Sequence, residues 1–399
     1  MPEGEGSEVL VLGAGIAGLA LAAHLRQQGV GVVVVDPGPR TGGATGRAAG
    51  IVTEQLWSPW DIEVTRDAHT EARRLLADAE PRAYWRNGFL RFTRQGALAA
   101  PIRDAAAKLH RAGVTAEIVD GVAMQGMFPG SRFPSDALGL YSAPDGCVTP
   151  SGLAEAYAAA ATRDGAAIHD SVGPVRVERA SEAWTVHAAA RRWSAPRLVI
   201  AAGAWSKRLL ADIGYPMPLC PYRMQAALLR PARRPPDDFP SVHEIDADVY
   251  VRPELGGRIL AGDGTESWEA DPERFERSGD PEFLGHVAEA LESPFPDWAA
   301  AEVVSAWAGV CTSTKDRRPL VGPVPGAPEL YLMTGFNGFG VMRAGGIARR
   351  LAAALRAGDR SAAAWAPLDP VRPGRFAVGP ASFPPRPGFT LEEGDVPRF

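Results

Sequence analysis

Near its start the chain carries Gly13-Ala14-Gly15-Ile16-Ala17-Gly18, and about twenty residues later an acid, Asp36. Small residues at this spacing hold phosphate through the backbone. Gly13 permits a tight turn, Gly15 lets the backbone approach a diphosphate, and Gly18 lets helix and strand pack closely. Ile16 and Ala17 then fall in the first helical turn, where unpaired N–H groups attract anions. A carboxylate at Asp36 can accept hydrogen bonds from ribose hydroxyls. The chemistry is dinucleotide binding, and the motif leaves nicotinamide and flavin dinucleotides both open. Far downstream, Gly335-Phe336-Asn337-Gly338-Phe339-Gly340 feeds a second helix. Such a turn either aims N–H donors and the positive end of a helix dipole at a ligand, or simply joins strand to helix.

These turns need regular elements to hold them. Val9–Leu12 and Val32–Val35 read as buried strands flanking a helix. Read as a membrane segment, Val9 to Leu25 is shorter than a comfortable span, contains His24 and carries glycines where the fingerprint needs them. Thr41 to Gly50 is a small-residue loop that can lie against a flat ligand. Thr65 to Ala79 reads as a solvated surface helix. A helix from Leu153 to Arg163 follows Thr149-Pro150-Ser151, with Ser151 as its N-cap. Strands are expected around Val175–Val177, Trp184–Val186 and Arg197–Ile200, the last ending in Ala201 to Ser206. Beyond residue 214, period-2 strands at Met224–Leu229, Asp248–Arg252 and Arg258–Gly262 predict an antiparallel sheet covered by a helix around Glu282–Leu291. Leu330–Met333 reads as a buried strand, followed by a helix from about Ala344 to Leu355. The tail from Ala366 is rich in proline and glycine, so it wraps the surface or is partly disordered.

Composition narrows the function classes. The formal net charge is −5 and no basic stripe is present, which argues against nucleic acid. Cys147, Cys220 and Cys311 are widely separated, so neither a disulfide framework nor a zinc site is indicated. The histidines, His24, His69, His110, His169, His187, His243 and His286, show no ligand spacing. The acidic start, Met1-Pro2-Glu3-Gly4-Glu5-Gly6, lacks the basic region of a signal peptide, and a cytoplasmic location is expected.

Five blocks in order resemble the D-amino-acid oxidase superfamily, nearest in pattern to glycine oxidase and the sarcosine oxidases and dehydrogenases. They are Gly13–Gly18 with Asp36; Ala44–Ile51; Val199–Ser206; Trp307-Ala308-Gly309 through Thr314-Lys315-Asp316 to Pro319–Gly322; and Gly335–Met342. The resemblance implies FAD and a mixed α/β fold, a Rossmann-like FAD-binding domain interleaved with an antiparallel-sheet substrate domain. The FAD domain is expected from 1–80, 145–215 and 305–365, the substrate domain from 81–144 and 216–304, and a tail over 366–399. By resemblance, Asp36 and Pro37 hold the adenosine end and Val175 the adenine side. Thr45, Arg47, Ala49, Gly50 and Ile51 line the diphosphate and flavin, Gly203 joins the cofactor set, and Phe336, Asn337, Gly338, Phe339, Gly340, Val341 and Met342 wrap the flavin's pyrimidine edge.

The implied chemistry is hydride removal from the C–N bond of an amine or amino acid to flavin, giving an imine. Electrons pass on to O2 or another acceptor, and no general base is assigned. Departures from the family pattern concern the substrate. Where glycine oxidase has a carboxylate-clamping arginine, this chain has Cys311, and a thiol cannot replace a bidentate guanidinium. Cys311 has three readings: covalent flavin link, pocket lining, or small buried hydrophobe. Tyr250 matches a tyrosine that assists carboxylate binding in glycine oxidase, and also reads as an ordinary strand tyrosine. Arg343 is the candidate replacement clamp, with Arg223 and Arg252 behind it. Leu260 stands where monomeric sarcosine oxidase carries an oxygen-activating lysine. Two other readings are a nicotinamide-dependent dehydrogenase, which would be colourless, and a subunit active only with a partner.

Overall fold

Val9–Leu12 and Val32–Val35 are completely apolar, and both faces of each strand are buried. That pattern belongs to a parallel sheet covered on both sides. A computed structural model describes residues 7–376, apart from 57, 81–82, 96–98, 265–266 and 359–360. In it these strands lie at the middle of a six-stranded sheet. Its order is Leu320–Pro323, Leu330–Thr334, Arg197–Ile200, Val9–Leu12, Val32–Val35 and Ala167–His169, parallel except for the first strand. Val9, Val11, Val32 and Val34 face one way, into a core shared with the helices Ile16–Gln27, Pro150–Arg163 and Gly340–Ala357. Leu10, Leu12, Val33 and Val35 face the other way, onto Trp184, Val186 and Trp193 of a three-stranded antiparallel sheet.

A nine-stranded sheet carries the rest of the described strands apart from a small fourth sheet of Ile51–Val52, Gly146–Val148 and Tyr84–Trp85. The long strand Cys220–Arg230 pairs with Arg258–Asp263 on one side and along its whole length with Glu302–Ser313 on the other. Val249–Glu254 and Ser241–Glu244 continue the sheet, and Ser241–Glu244 joins Phe89–Thr93 in parallel. Side chains alternate between faces. Ala227, Leu229, Val242, Val251 and Ala261 enter a core under the helix Pro281–Glu292, and the opposite face is turned towards the parallel sheet.

Several local expectations change in the fold. The helix read over Thr65 to Ala79 spans Pro59–Leu75 and is not a solvated surface helix. Val64, Thr65, Ala68, His69 and Ala72 are buried, because Gly346 has no side chain and the helix Gly340–Ala357 approaches the Val64 carbonyl. Ser151 is not an N-cap: the helix begins at Pro150 with Thr149 in the capping position. The helix expected from Ala344 begins at Gly340. A boundary at 305 falls inside the strand Glu302–Ser313, so the chain leaves the antiparallel sheet only after Ser313, where pairing with Cys220–Arg230 ends. Residues 366–376 are packed, with Leu368 and Val371 buried and Trp365 stacked on Tyr331; the remainder of the tail lies outside the described residues.

The first helix is set by two missing side chains. A Cβ on Gly18 would stand 1.9 Å from the Gly13 carbonyl oxygen, and one on Gly13, whose φ is +120°, would stand 2.5 Å from that of Ala201. The Gly18→Ala variant is therefore expected to lose about 1–3 kcal/mol through overpacking, read as a lower urea midpoint with unchanged slope.

Candidate functional site

A cavity of about 1020 Å³ opens between the carboxyl ends of the parallel strands and the free face of the antiparallel sheet. Gly13, Gly15, Ile16, Ala17, Asp36, Pro37, Thr45, Arg47, Ala49, Gly50, Ile51, Val175 and Gly203 all line it. So do Phe336, Asn337, Gly338, Phe339, Gly340, Val341 and Met342, together with Tyr250 and Cys311. Gly18 is not in the wall, because it packs against Gly13 behind it.

At one end the helix Ile16–Gln27 starts on Gly15 with no side-chain cap. Asp36 accepts from the Ala14 amide at 2.6 Å and from Gly38 at 2.8 Å, which fixes its carboxylate at the end of Val32–Val35. Burial raises its pKa, and these two amides oppose that shift. Thr45 accepts from the Ile16 amide at 3.1 Å and pins the small-residue loop to the helix start. At the other end the helix Gly340–Ala357 also starts without a side-chain cap, after Asn337 and Gly338 in the left-handed region. Two helix N-termini thus face one elongated space, the first with its Ile16 amide already held by Thr45. This suits a ligand with an anionic diphosphate near one terminus and a ring that gains negative charge near the other. The residues present fit FAD on this ground, and neither helix carries an acidic residue in its first turn.

The wall opposite is built by strand alternation. Tyr222, Met224 and Ala226 stand beside Cys311, Gly309 and Trp307 on the paired strand, all turned to the cavity. Tyr250 pairs with Gly262, whose missing Cβ would otherwise lie 2.2 Å from the phenol oxygen. Burial, then the negative charge of Asp263, pushes the Tyr250 phenol well above its usual range, so it remains a hydrogen-bond donor at neutral pH. Arg47 folds over Gly309, and its carbonyl accepts from the Trp307 indole at 3.1 Å. Burial and the neighbouring Arg277 both lower its pKa.

Arg343 is not a clamp. Its side chain is fully buried and turned away from the cavity, with Nη1 donating to Asp61 Oδ1 at 2.7 Å and Nη2 to the Phe336 carbonyl at 3.1 Å. It holds the Gly-rich loop from behind. Arg223 and Arg252 are also engaged elsewhere, Arg223 with Asp280 and Arg252 with Glu254 and the Ala49 carbonyl. Leu260 is buried and lies outside the cavity wall.

Some wall residues had no local signature. His243 lines the cavity because its strand pairs beside Tyr250, a register invisible in a scattered set of histidines. Pro272, Glu273, Phe275 and Arg277 form the mouth, where Glu273 accepts from the Trp205 indole at 2.7 Å and meets Arg208 at 3.5 Å. Among the described residues no cluster of His, Cys, Asp and Glu could hold a metal ion, and no helix is long and apolar enough to cross a membrane.

Removing one member of the Asp61–Arg343 pair should be costly, since it strands a buried charge. Asp61→Ala is expected to lose about 3–5 kcal/mol in urea unfolding and to release the loop at Phe336. An unfolding midpoint equal to that of the unaltered protein would show that the pair contributes nothing.

Comparison with known proteins places this geometry. The family model for FAD dependent oxidoreductases (DAO) matches residues 8–354. Human mitochondrial dimethylglycine dehydrogenase is 25% identical over 376 residues, covering 86% of this chain and 42% of that protein, so the chain spans less than half the length of this relative. Monomeric sarcosine oxidase from Arthrobacter is 24% identical over 363 residues, covering 84% of this chain and 88% of that one. The structure of L-proline dehydrogenase from P. horikoshii superposes with a TM-score of 0.82 at 21% identity, covering 94% and 99% of the two chains. Glycine oxidase from Geobacillus kaustophilus gives 0.77 at 21% identity, covering 89% and 95%. With a family match over most of its length and a fold shared with these structures, the chain belongs to the FAD dependent oxidoreductases of the DAO family.

Proposed function

We propose that this protein oxidises the C–N bond of an amine or amino acid, of the secondary, N-methyl, cyclic or D-amino-acid kind, with FAD as its resident acceptor. The observation that carries this is one elongated cavity in which two helix N-termini meet a mostly apolar wall bearing Tyr250 and Cys311. FAD supplies the two-electron acceptor when bound. The helix start at Ile16 and Ala17 faces its diphosphate, Asp36 takes the ribose, and Phe336 to Met342 take the ring edge. The sheet wall excludes water, and desolvation there lowers the pKa of a bound ammonium group towards the neutral amine that reacts. The protonated Tyr250 phenol donates to a substrate carboxylate. Cys311, at the wall, remains a pocket residue or a flavin link.

The test is a visible spectrum of the purified protein, followed by anaerobic addition of sarcosine, N,N-dimethylglycine, L-proline and glycine. Flavin absorbance that bleaches with at least one of them is expected; a colourless protein would favour nicotinamide. No lysine stands among the described lining residues, so the same experiment, continued by admitting air, should show slow reoxidation. Tyr250→Phe should weaken the apparent affinity for the bleaching amino acid about tenfold or more, one charge-assisted hydrogen bond, with flavin content unchanged.

A further inference from the structure

Two cationic side chains line the cavity and play no part in hydride transfer. Arg47 and Arg277 come from distant parts of the chain, yet both are anchored on three successive residues of the strand Glu302–Ser313. The Arg47 carbonyl accepts from the Trp307 indole at 3.1 Å, and its stem packs over Gly309, where a Cβ would stand 3.2 Å from Cδ. Between these two, the Ala308 amide donates to the Arg277 carbonyl at 2.8 Å. Two arginines are thus seated on residues 307–309.

Both are held in place. Arg47 Nη1 donates to the carbonyls of Gly42 and Gly43, the latter at 2.8 Å. Arg223 fastens the chain on either side of Arg277, donating to the Glu276 carbonyl at 2.9 Å and to that of Ser278 at 2.7 Å. The Arg277 guanidinium itself lies 5.3 Å from the centre of the Phe275 ring. Among the described residues neither arginine has a carboxylate within ion-pair reach. The acid at the mouth, Glu273, is engaged by Trp205 and Arg208. Burial lowers the Arg47 pKa, and the charge of Arg277 lowers it further. Like charges held this close repel, and an anion received between them removes the repulsion.

Tyr250, the donor to a substrate carboxylate, is too far away to share that anion. Its phenol oxygen lies over Gly262, which pairs with Ala226, which in turn pairs with Trp307. Two strand spacings separate the phenol from the arginines' anchor, about 10 Å. One carboxylate cannot bridge that gap. We propose that Arg47 and Arg277 hold a second anionic group, so that the substrate is an amine bearing two separated carboxylates. This rests on the C–N oxidation reading above. The carboxylate beside the oxidised carbon belongs at Tyr250, and the far one at the mouth.

The two arginines differ in exposure, and their contributions differ with it. Arg277 is exposed and meets the anion as it enters, so its attraction is screened by salt; Arg47 is half-buried and screened less. A guanidinium suits this task because its N–H groups match both oxygens of a carboxylate. With both ends held, the amine between them is oriented against the wall. A substrate without the far anion keeps only one hold.

The experiment uses the FAD-bound protein with N-(2-carboxyethyl)glycine and N-propylglycine, which differ only in a carboxylate against a methyl group. In anaerobic stopped flow both should bleach the flavin, the dicarboxylate with an apparent Kd about tenfold lower. Arg47→Gln should weaken the dicarboxylate about tenfold and Arg277→Gln about fivefold, with N-propylglycine changed less than about twofold in either. The preference should shrink as ionic strength rises. Glutarate, with two carboxylates and no amine, gives a readout independent of turnover. By calorimetry it should bind the FAD-bound protein, and about fivefold more weakly after Arg277→Gln, with flavin content unchanged. Equal affinity for the two substituted glycines, or variants that weaken both alike, overturns the anion site and leaves C–N oxidation intact. Loss of FAD from Arg47→Gln with glutarate affinity unchanged also overturns it, by assigning that arginine to the cofactor. Absence of bleaching by these and by the earlier amines overturns both.

Discussion

Everything at the site depends on how closely the first helix can approach the parallel sheet. The Gly18 position lies almost in contact with the Gly13 carbonyl, and Gly13 with that of Ala201. Only hydrogen fits at either place. This contact seats the helix start over the carboxyl ends of Val9–Leu12 and Arg197–Ile200, where strand connections diverge and a crevice forms. With any side chain there the helix would lift, and its amides would no longer face the cavity.

The far terminus depends on a different interaction. Arg343 and Asp61 form a buried ion pair, and the same guanidinium ties down the Phe336 carbonyl. Burying two charges is expensive unless their hydrogen bonds are nearly complete. Here the pair is supported by the Ser58 hydroxyl, which donates to Asp61, and by the Phe339 ring, 5.0 Å from the guanidinium. The result is a loop held at both ends of its turn, by Arg343 at the Phe336 carbonyl and by the Thr312 carbonyl at the Asn337 amide. An arginine that looked available for substrate is instead part of the frame.

The antiparallel sheet contributes through parity. Each strand sends alternate residues to the Pro281–Glu292 side and to the cavity, so Tyr222, Tyr250, His243 and Cys311 reach one wall without any of them being neighbours in sequence. Gly262 is the counterpart of Gly18 on this side: it makes room, here for a phenol ring. The charged mouth formed by Glu273, Trp205 and Arg208 joins the two sides across the opening.

The sequence by itself determined the dinucleotide unit, because its parts are local. Turn, helix start, strand and acid fall within Gly13 to Asp36, and each role follows from a glycine's missing side chain or an amide's missing partner. The family blocks extended this to the ring-edge loop for the same reason: small residues before a helix carry their conformational meaning with them. Tertiary structure alone decided Arg343, since its partner Asp61 is 282 residues away and burial turns a cation from a ligand into a strut. It also decided His243, whose place beside Tyr250 is a matter of strand register, and Thr65 to Ala79, where a charged sequence hides a buried face against Gly346. Short-range sterics can be read along a chain. Which charges are buried, and against what, depends on residues that only folding brings together.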